Sequence, residues 1–139
     1  MYDKEKMKNI VQKMHAKKNE EETRYADALR EISMAYSEIP RFARKMKTLK
    51  FRVEGNYSVS MYQDCCNDSL VSILVIGNGR DAASINFATG SDTDYRKLSL
   101  AASKAVENAR SIRPGLEWVL THTDEFIGAM MEYLEKEYC

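Results

Sequence analysis

The stretch that decides the fold is Ser69-Leu70-Val71-Ser72-Ile73-Leu74-Val75-Ile76-Gly77, followed by Asn78-Gly79. It is the most apolar segment of the chain, and β-branched side chains such as valine and isoleucine pack well on a pleated sheet. Asn-Gly favours a two-residue type I′ turn, because both central residues of that turn need a positive φ. The sequence therefore predicts a β-hairpin formed by residues 69–77 and 81–89.

A two-residue turn would fix the pairing between these two strands. It sets Leu74 opposite Ala83 and leaves Val71, Ile73 and Val75 facing a strand of small and polar residues. Because the first strand is apolar on both faces, it needs cover on both sides. That cover is either a helix of this chain or a second protomer. The three β-branched residues are therefore a candidate oligomer face.

The segment 48–62, which precedes the hairpin, alternates apolar and polar residues with period two. This pattern is typical of a strand with one buried face, here the face of Phe51 and Val53. The parity fits one long strand bent at Gly55. It equally fits a hairpin with a three-residue loop at 55–57. The predicted sheet therefore has three or four antiparallel strands.

Residues 3–38 contain no glycine or proline and are rich in good helix formers, which predicts a long helix. Ile39-Pro40 ends it, since the residue before proline avoids the α region. Its two apolar stripes comprise Met7, Ile10, Val11 and Met14, then Tyr25, Leu29, Ile32, Ala35 and Tyr36. Between them, residues 17–22 are polar on every face. We favour a continuous or slightly broken helix over two helices that meet near Asn19. The first stripe either binds a partner or a second copy, or packs within the chain.

Two more helices are predicted after the sheet. The first runs from about residue 94 to 112 and has an alanine-rich face suited to close packing on a sheet. Arg113-Pro114-Gly115 is expected to stop it. From residue 116 to 137 the apolar spacing predicts one continuous helix. An extended segment at 118–121, followed by a shorter helix capped by Thr123, also fits.

The predicted order is α-β-β-β(β)-α-α, which is an α+β fold with a three- or four-stranded antiparallel sheet. A length of 139 residues favours a single domain with its own core. Within residues 1–139 we expect an N-terminal helical arm at 1–38, the sheet at 48–89 and a helical pair at 94–137.

Charged residues make up 30% of the chain and cancel to a net charge of zero, which argues against a generic polyanion binder. The charge is nevertheless segregated, because residues 41–52 carry no acid and residues 117–139 carry six acids and one base. The basic residues of the first segment are Arg41, Arg44, Lys45, Lys47, Lys50 and Arg52. With Arg96 and Lys97 they form a candidate partner- or phosphate-binding site, whose contacts to nucleic acid would be sequence-independent and salt-sensitive. A solvated face that balances the acidic C-terminal segment is the alternative.

Over residues 22–112, the order of a helix, antiparallel strands and a helix that opens with basic residues resembles the double-stranded-RNA-binding domain family. The resemblance implies RNA contacts from the first helix, from a histidine-bearing loop between the first two strands and from a lysine-rich start of the last helix. The chain departs from this pattern. Its loop at 63–68 is acidic and lacks histidine, and its last helix begins with only Arg96 and Lys97.

The reactive residues favour a binding protein over an enzyme. Cys65, Cys66 and Cys139 are an odd number without metal-binding spacing, so we expect free thiols and no metal or cofactor. His122 has carboxylates nearby in sequence and is a candidate general base, but no nucleophile motif accompanies it. His15 lies on a charged helix and is expected at the surface.

The N-terminus lacks an apolar signal segment, and the longest uncharged run, 69–79, is too short to span a bilayer. We therefore expect a cytoplasmic protein without membrane contact. The leading expectation is a non-catalytic interaction protein, such as a small regulator, inhibitor or adaptor of the kind that phages and mobile elements often encode. It would bind a protein or a protein–nucleic-acid complex and form a homodimer. Nucleic-acid binding through residues 41–52 is the alternative, and a small enzyme without a recognisable motif is the second alternative.

Overall fold

The computed structural model describes residues 1–46, 48–64, 69–77, 81–89 and 94–139. The predicted Asn78-Gly79 turn, Lys47, Cys65 and Cys66 lie outside these ranges. Within the described ranges the chain forms a four-stranded antiparallel sheet preceded and followed by helices. The predicted α+β fold is therefore confirmed.

The elements follow one another as predicted, with one short helix and one helix break added. The helices are α1 (Lys4–Ser37), α2 (Arg41–Met46), α3 (Tyr95–Asn108), α4 (Arg113–Thr121) and α5 (Thr123–Tyr138). The strands are β1 (Leu49–Val53), β2 (Tyr57–Gln63), β3 (Leu70–Ile76) and β4 (Ala82–Ala88), and they lie in the order β1-β2-β3-β4. The sheet thus has one strand more than the three-stranded double-stranded-RNA-binding topology.

The segment before the apolar stretch is a hairpin, not one bent strand. Val53 pairs with Tyr57, so the loop has three residues and begins one residue earlier than predicted. Glu54 (φ 57°) and Gly55 (φ 71°) both adopt the left-handed conformation, which is uncommon for a residue other than glycine. The Glu54 carboxylate accepts a hydrogen bond from the indole N–H of Trp118 at 2.9 Å, which holds this loop against α4.

The predicted register between β3 and β4 is wrong by one residue. Ile73 pairs with Ile85 instead of Ser84, so the apolar rows of the two strands share one face. The Gly77 N–H donates to the Asp81 carbonyl oxygen at 3.0 Å, which continues the pairing beyond both strands. Three residues thus separate Gly77 from Asp81, whereas a two-residue turn was predicted. The shift by one residue moves every side chain of β4 to the opposite face relative to β3.

The face of β3 that was predicted to pair with small and polar residues of the next strand lies in the core. Val71, Ile73 and Val75 are 1%, 0% and 0% exposed within a single chain. Helices cover this face from edge to edge, because α3 packs on β4, α4 on β3 and α5 on β1. The expectation that these three residues form an oligomer face is thereby corrected.

The opposite face of the sheet, which we call the open face, carries no buried side chain among the described residues. Two cross-strand rows on it run from β1 to β4: Arg52, Ser58, Ile76 and Ala82, then Lys50, Ser60, Leu74 and Ser84. The protein is thus a sheet with helices on one side and its second side exposed.

The predicted continuous helix over residues 116–137 is wrong, because the chain breaks at His122 (φ −122°, ψ 53°) between α4 and α5. The His122 ring stacks on the Trp118 ring with centroids 4.9 Å apart, and its Nδ1 lies 3.1 Å from the Trp118 carbonyl oxygen. The break lets α4 pack on β3 while α5 reaches β1, where Phe126 meets Phe51 edge-on at 5.3 Å.

The Arg113-Pro114-Gly115 segment begins α4, whereas it was expected only to end the preceding helix. Pro114 lies in the first turn, where a missing N–H removes no helical hydrogen bond. Gly115 lets α4 approach the sheet closely. A Cβ atom at this position would lie 2.9 Å from Tyr57 Cδ1 and 3.2 Å from Val75 Cγ1.

α1 is a continuous helix of 34 residues, which decides against two helices that meet near Asn19. Its length is about 51 Å at a rise of 1.5 Å per residue. Asp3 caps it, because its Oδ1 accepts hydrogen bonds from the N–H groups of Glu5 (3.0 Å) and Lys6 (3.1 Å). The C-terminal half packs mainly on α3, with further contacts to α4 and α5. Residues 1–21 are exposed throughout.

Candidate interaction surfaces

The first candidate surface is the exposed N-terminal part of α1, residues 4–21, which we call the arm. It extends about 27 Å from the body of the protein. Its apolar side chains Met7, Ile10, Val11 and Met14, the arm stripe, are 48%, 44%, 40% and 65% exposed. A lone helix of this length is only marginally stable in water, and a contiguous exposed apolar patch marks an interaction site. The arm stripe therefore does not pack within the chain and is available to bind.

The arm stripe lies on the same side of α1 as the face that packs in the core. Val11 and Leu29 are 18 residues apart, which is five turns of 3.6 residues. Lys18 and Glu21 fall between them on this same side and interrupt the apolar face. A molecule bound to the arm stripe would therefore lie beside the helical layer of the body, not behind α1.

Polar contacts surround the point where the arm leaves the body. The Arg113 Nε lies 2.7 Å from Glu117 Oε1, and this hydrogen bond raises the pKa of the guanidinium. Burial, followed by the nearby charges of Glu117 and Glu21, raises the pKa of Tyr25. The junction is thus polar, so the apolar surface of the arm does not continue directly onto the body.

The second candidate surface is an apolar groove between the C-terminal end of α1, α2 and α5, with a volume of about 520 Å³. Volumes of this size are common for sites that hold ligands. Its apolar lining includes Ile39, Phe42, Ala43, Met130, Met131 and Leu134. Phe42 and Met131 are 68% and 61% exposed, so large apolar surface is left open to solvent. The acidic residues Glu38 and Glu135 also line the groove.

The arm and the groove carry opposite charges. Residues 4–18 contain six lysines and one acid, which gives this part of the arm a net charge of +5. The charged side chains that line the groove are Glu38 and Glu135. Of the helices that form its walls, α5 has a net charge of −4 and α2 has a net charge of +3. Opposite surface charges favour association and set orientation.

The described basic residues predicted as a binding site do not form one surface. Arg44 is half-buried, and its guanidinium carbon lies 5.9 Å from the centroid of the Tyr36 ring. Burial raises the pKa of Tyr36, and the charge of Arg44 opposes that shift. Arg41 and Lys45 are exposed on α2, while Lys47 lies outside the described residues. Arg44 therefore packs against the Tyr36 ring beside the core, whereas Arg41 and Lys45 are exposed.

Lys50 and Arg52 lie on the open face of the sheet, where Tyr62 is 38% exposed. Arg96 and Lys97 are exposed at the start of α3, which packs on β4 at the opposite edge of the sheet. These two residues are therefore separated from Lys50 and Arg52 by the width of the sheet. The pair on β1 is the part of the predicted site that shares a surface with an aromatic side chain.

The histidines do not form a catalytic arrangement with a carboxylate in the described part of the chain. The His122 Nδ1 lies 3.0 Å from the Thr121 hydroxyl oxygen and 3.1 Å from the Trp118 carbonyl oxygen. These contacts hold the ring in place at the helix break. His15 is exposed on the arm. The described residues also contain no group of three histidine, cysteine, aspartate or glutamate side chains that could hold a metal ion.

Sequence reasoning missed the groove. Its walls come from the end of α1 and the adjacent α2, and from α5, which lies about 90 residues further along the chain. The available signal was the apolar width of α5, where Met130, Met131 and Leu134 exceed what one narrow packing stripe requires.

Comparisons with protein-family models, with curated proteins and with solved structures found no match to this chain. Over the described ranges, no helix combines the length and the apolar character needed to cross a lipid bilayer. The case for a function therefore depends on the surfaces described above.

Proposed function

We propose that the protein is a non-catalytic interaction protein, a small regulator, inhibitor or adaptor, that binds another protein chain through the arm. The observation that carries this proposal is the exposed arm stripe. Met7, Ile10, Val11 and Met14 follow the i, i+3, i+4, i+7 spacing by which an amphipathic helix anchors in a groove of its partner.

The size of the arm stripe limits what it can do alone. Burial of a whole aliphatic side chain contributes about 1.5–3 kcal/mol, and these four side chains are about half exposed. Covering them would thus contribute on the order of 4 kcal/mol, which barely offsets the loss of translational and rotational freedom on association. A stable complex needs further contacts, and the lysines of the arm favour a partner whose site is acidic.

A double substitution in the arm stripe tests this function. We expect Ile10→Glu with Val11→Glu to abolish capture of the partner from a lysate of the native host, because two carboxylates would have to be buried in the contact. The matched control is Asn9→Glu with Gln12→Glu, which makes the same change of charge on the opposite side of the same helix. Quantitative mass spectrometry of the captured proteins is the measurement. A set of captured proteins that is the same for all three chains would refute a role for the arm.

Nucleic-acid binding is a second candidate, favoured by the position of Lys50, Arg52 and Tyr62 on the open face. An exposed sheet that combines cations with an aromatic ring resembles the surfaces on which single-stranded RNA is bound by stacking and phosphate contacts. Only one aromatic side chain is available here, so this arrangement supports weak binding at most.

Gel shifts with a single-stranded RNA test the second candidate. If it holds, Lys50→Glu with Arg52→Glu weakens binding at least tenfold and lowers the slope of log K against log salt by about 1.4, since two phosphate contacts are lost. Arg96→Glu with Lys97→Glu is the control, because it makes the same charge change at the other edge of the sheet. Equal losses in both variants would indicate only a nonspecific effect of net charge and would exclude the open face.

A further inference from the structure

We propose that the partner of the arm is a second copy of this chain, and that the arm of each copy lies in the groove of the other. This inference rests on the proposed function, because it names the partner of the same arm. The resulting dimer is two-fold symmetric and contains the same arm–groove contact twice.

The apolar chemistry of the two surfaces matches. The arm stripe presents four flexible or branched apolar side chains along two turns of one helix. The groove lies between helices, and its exposed apolar side chains include Phe42 and Met131. Methionine on both surfaces adapts readily to the facing side chains. Each surface therefore supplies the kind of apolar cover that the other lacks.

The charges favour binding of the arm in the groove of a second copy over pairing between two arms. The arm (+5 over residues 4–18) would meet a groove whose charged lining residues are the acids Glu38 and Glu135. Lys4 and Lys18 lie at the two ends of the arm stripe and contribute to this positive charge. Two arms aligned antiparallel would instead bring together two charges of +5, which costs association free energy.

The arm cannot reach the groove of its own chain. Ile10 in the arm stripe and Ala35 in the groove lining belong to the same continuous helix. Twenty-five residues of that helix separate them by about 37 Å. The contact can therefore form only between molecules.

A reciprocal arrangement also overcomes the small area of one arm stripe. Two equal contacts form for a single loss of translational and rotational freedom, so the second contact adds to the affinity almost in full. In a two-fold dimer the arm of each molecule occupies the groove of the other. Neither an arm nor a groove then remains free to bind a third molecule. We therefore expect a closed dimer, not a filament.

Light scattering of the full chain after size exclusion tests this inference. At tens of micromolar the wild-type protein should have twice the chain mass of 16.0 kDa. Both the arm pair, Ile10→Glu with Val11→Glu, and a groove pair, Phe42→Lys with Met131→Lys, should yield the monomer mass by weakening the dimer about 100-fold or more. Two control pairs should remain dimeric: Asn9→Glu with Gln12→Glu, and Met34→Lys with Leu100→Lys, which are exposed apolar residues outside the groove.

Mixing the two deficient chains gives the sharper test. An arm-pair chain keeps a wild-type groove, and a groove-pair chain keeps a wild-type arm. The heterodimer combines one wild-type contact with a second contact in which the introduced glutamates of the arm face the introduced lysines of the groove, so opposite charges meet there. The mixture should therefore form a heterodimer, detected by capture through a tag on one chain, although neither variant dimerises alone. Circular dichroism that is unchanged for all variants shows that the losses come from the interface and not from unfolding.

Three results would overturn the inference. They are a monomeric wild-type protein, a dimer lost in the arm pair but kept in the groove pair, and a dimer kept in both pairs. The second result would indicate arm–arm pairing, and the third would indicate another interface, such as pairing through β4, an edge strand without a charged residue. A monomer that still captures another host protein through the arm refutes the self-association alone and leaves the proposed function in place.

Discussion

Replacing Ile73 with lysine should prevent folding, whereas replacing the adjacent Leu74 with lysine should leave the fold intact. Ile73 is fully buried and pairs with Met61 on one side and Ile85 on the other. A lysine there would either bury an unpaired charge or lose its proton, and it would also lose the packing of Ile73. The combined cost of several kcal/mol is comparable to the 5–15 kcal/mol by which typical domains are stable. Leu74 is half-buried on the open face, where a lysine can extend into solvent, and we expect a loss of about 1–2 kcal/mol.

Far-UV circular dichroism and urea unfolding distinguish these outcomes. Ile73→Val serves as the conservative control and should cost about 1 kcal/mol while keeping the native spectrum. The pair of lysine variants also tests the strand register, because the register predicted from the sequence gave Leu74 the apolar partner row. A folded Ile73 variant beside an unfolded Leu74 variant would show that the assignment of the two sheet faces is wrong.

Substitutions at two helical glycines should have opposite signs. Gly115→Val should cost about 3 kcal/mol, because α4 would have to move away from Tyr57 and Val75 to make room for the branched side chain. Gly128→Ala in α5 should stabilise the protein by about 0.5–1 kcal/mol. A Cβ at that exposed position meets nothing within 4 Å, and alanine has the higher helix propensity.

Thermal unfolding measures both changes, at about 4 °C per kcal/mol for a chain of this size. Gly128→Ala is the matched control, since both changes remove the backbone freedom of a helical glycine and only one adds atoms where α4 meets the sheet. A gain in stability for both variants would mean that α4 does not approach β2 and β3 as closely as described. Valine is chosen at position 115 because with alanine the gain in helix propensity would oppose the steric cost.

The fold class was predictable because its strongest signals are local. Residues 3–38 lack helix breakers, Ile39-Pro40 marks a clear end, and the run from Leu70 to Ile76 leaves no plausible alternative to a central strand. The register was not predictable in the same way. β3 is apolar on both faces, so its own pattern fits either pairing, and the length of the connection decided it.

Other errors have a tertiary origin. The apolar spacing from Leu116 to Met130 continues unchanged through His122, so periodicity could not reveal that α4 and α5 pack on different strands. α2 is only six residues long and is too short to show a period. It places Arg44 against Tyr36 and thereby separates basic residues that are contiguous in sequence.

The candidate site was predictable only in part. The arm stripe was visible as a spacing pattern, but whether it packed within the chain depended on where the body of the protein ends along α1. The groove combines residues from α1, α2 and α5, and no single segment carries its signature. Surfaces built between elements require the packing to be known before they can be recognised.

The five-turn spacing between Val11 and Leu29 has a consequence for how this chain can vary. One residue inserted between them would rotate the arm by 100° and lengthen it by only 1.5 Å, so the stripe would face away from its binding side. Seven inserted residues would rotate the arm by about 20° while extending its reach by about 10 Å. The length of the arm can therefore change only in steps of about seven residues if the arm stripe is to keep its orientation. The reach of the arm and the direction in which it binds are thus coupled through α1.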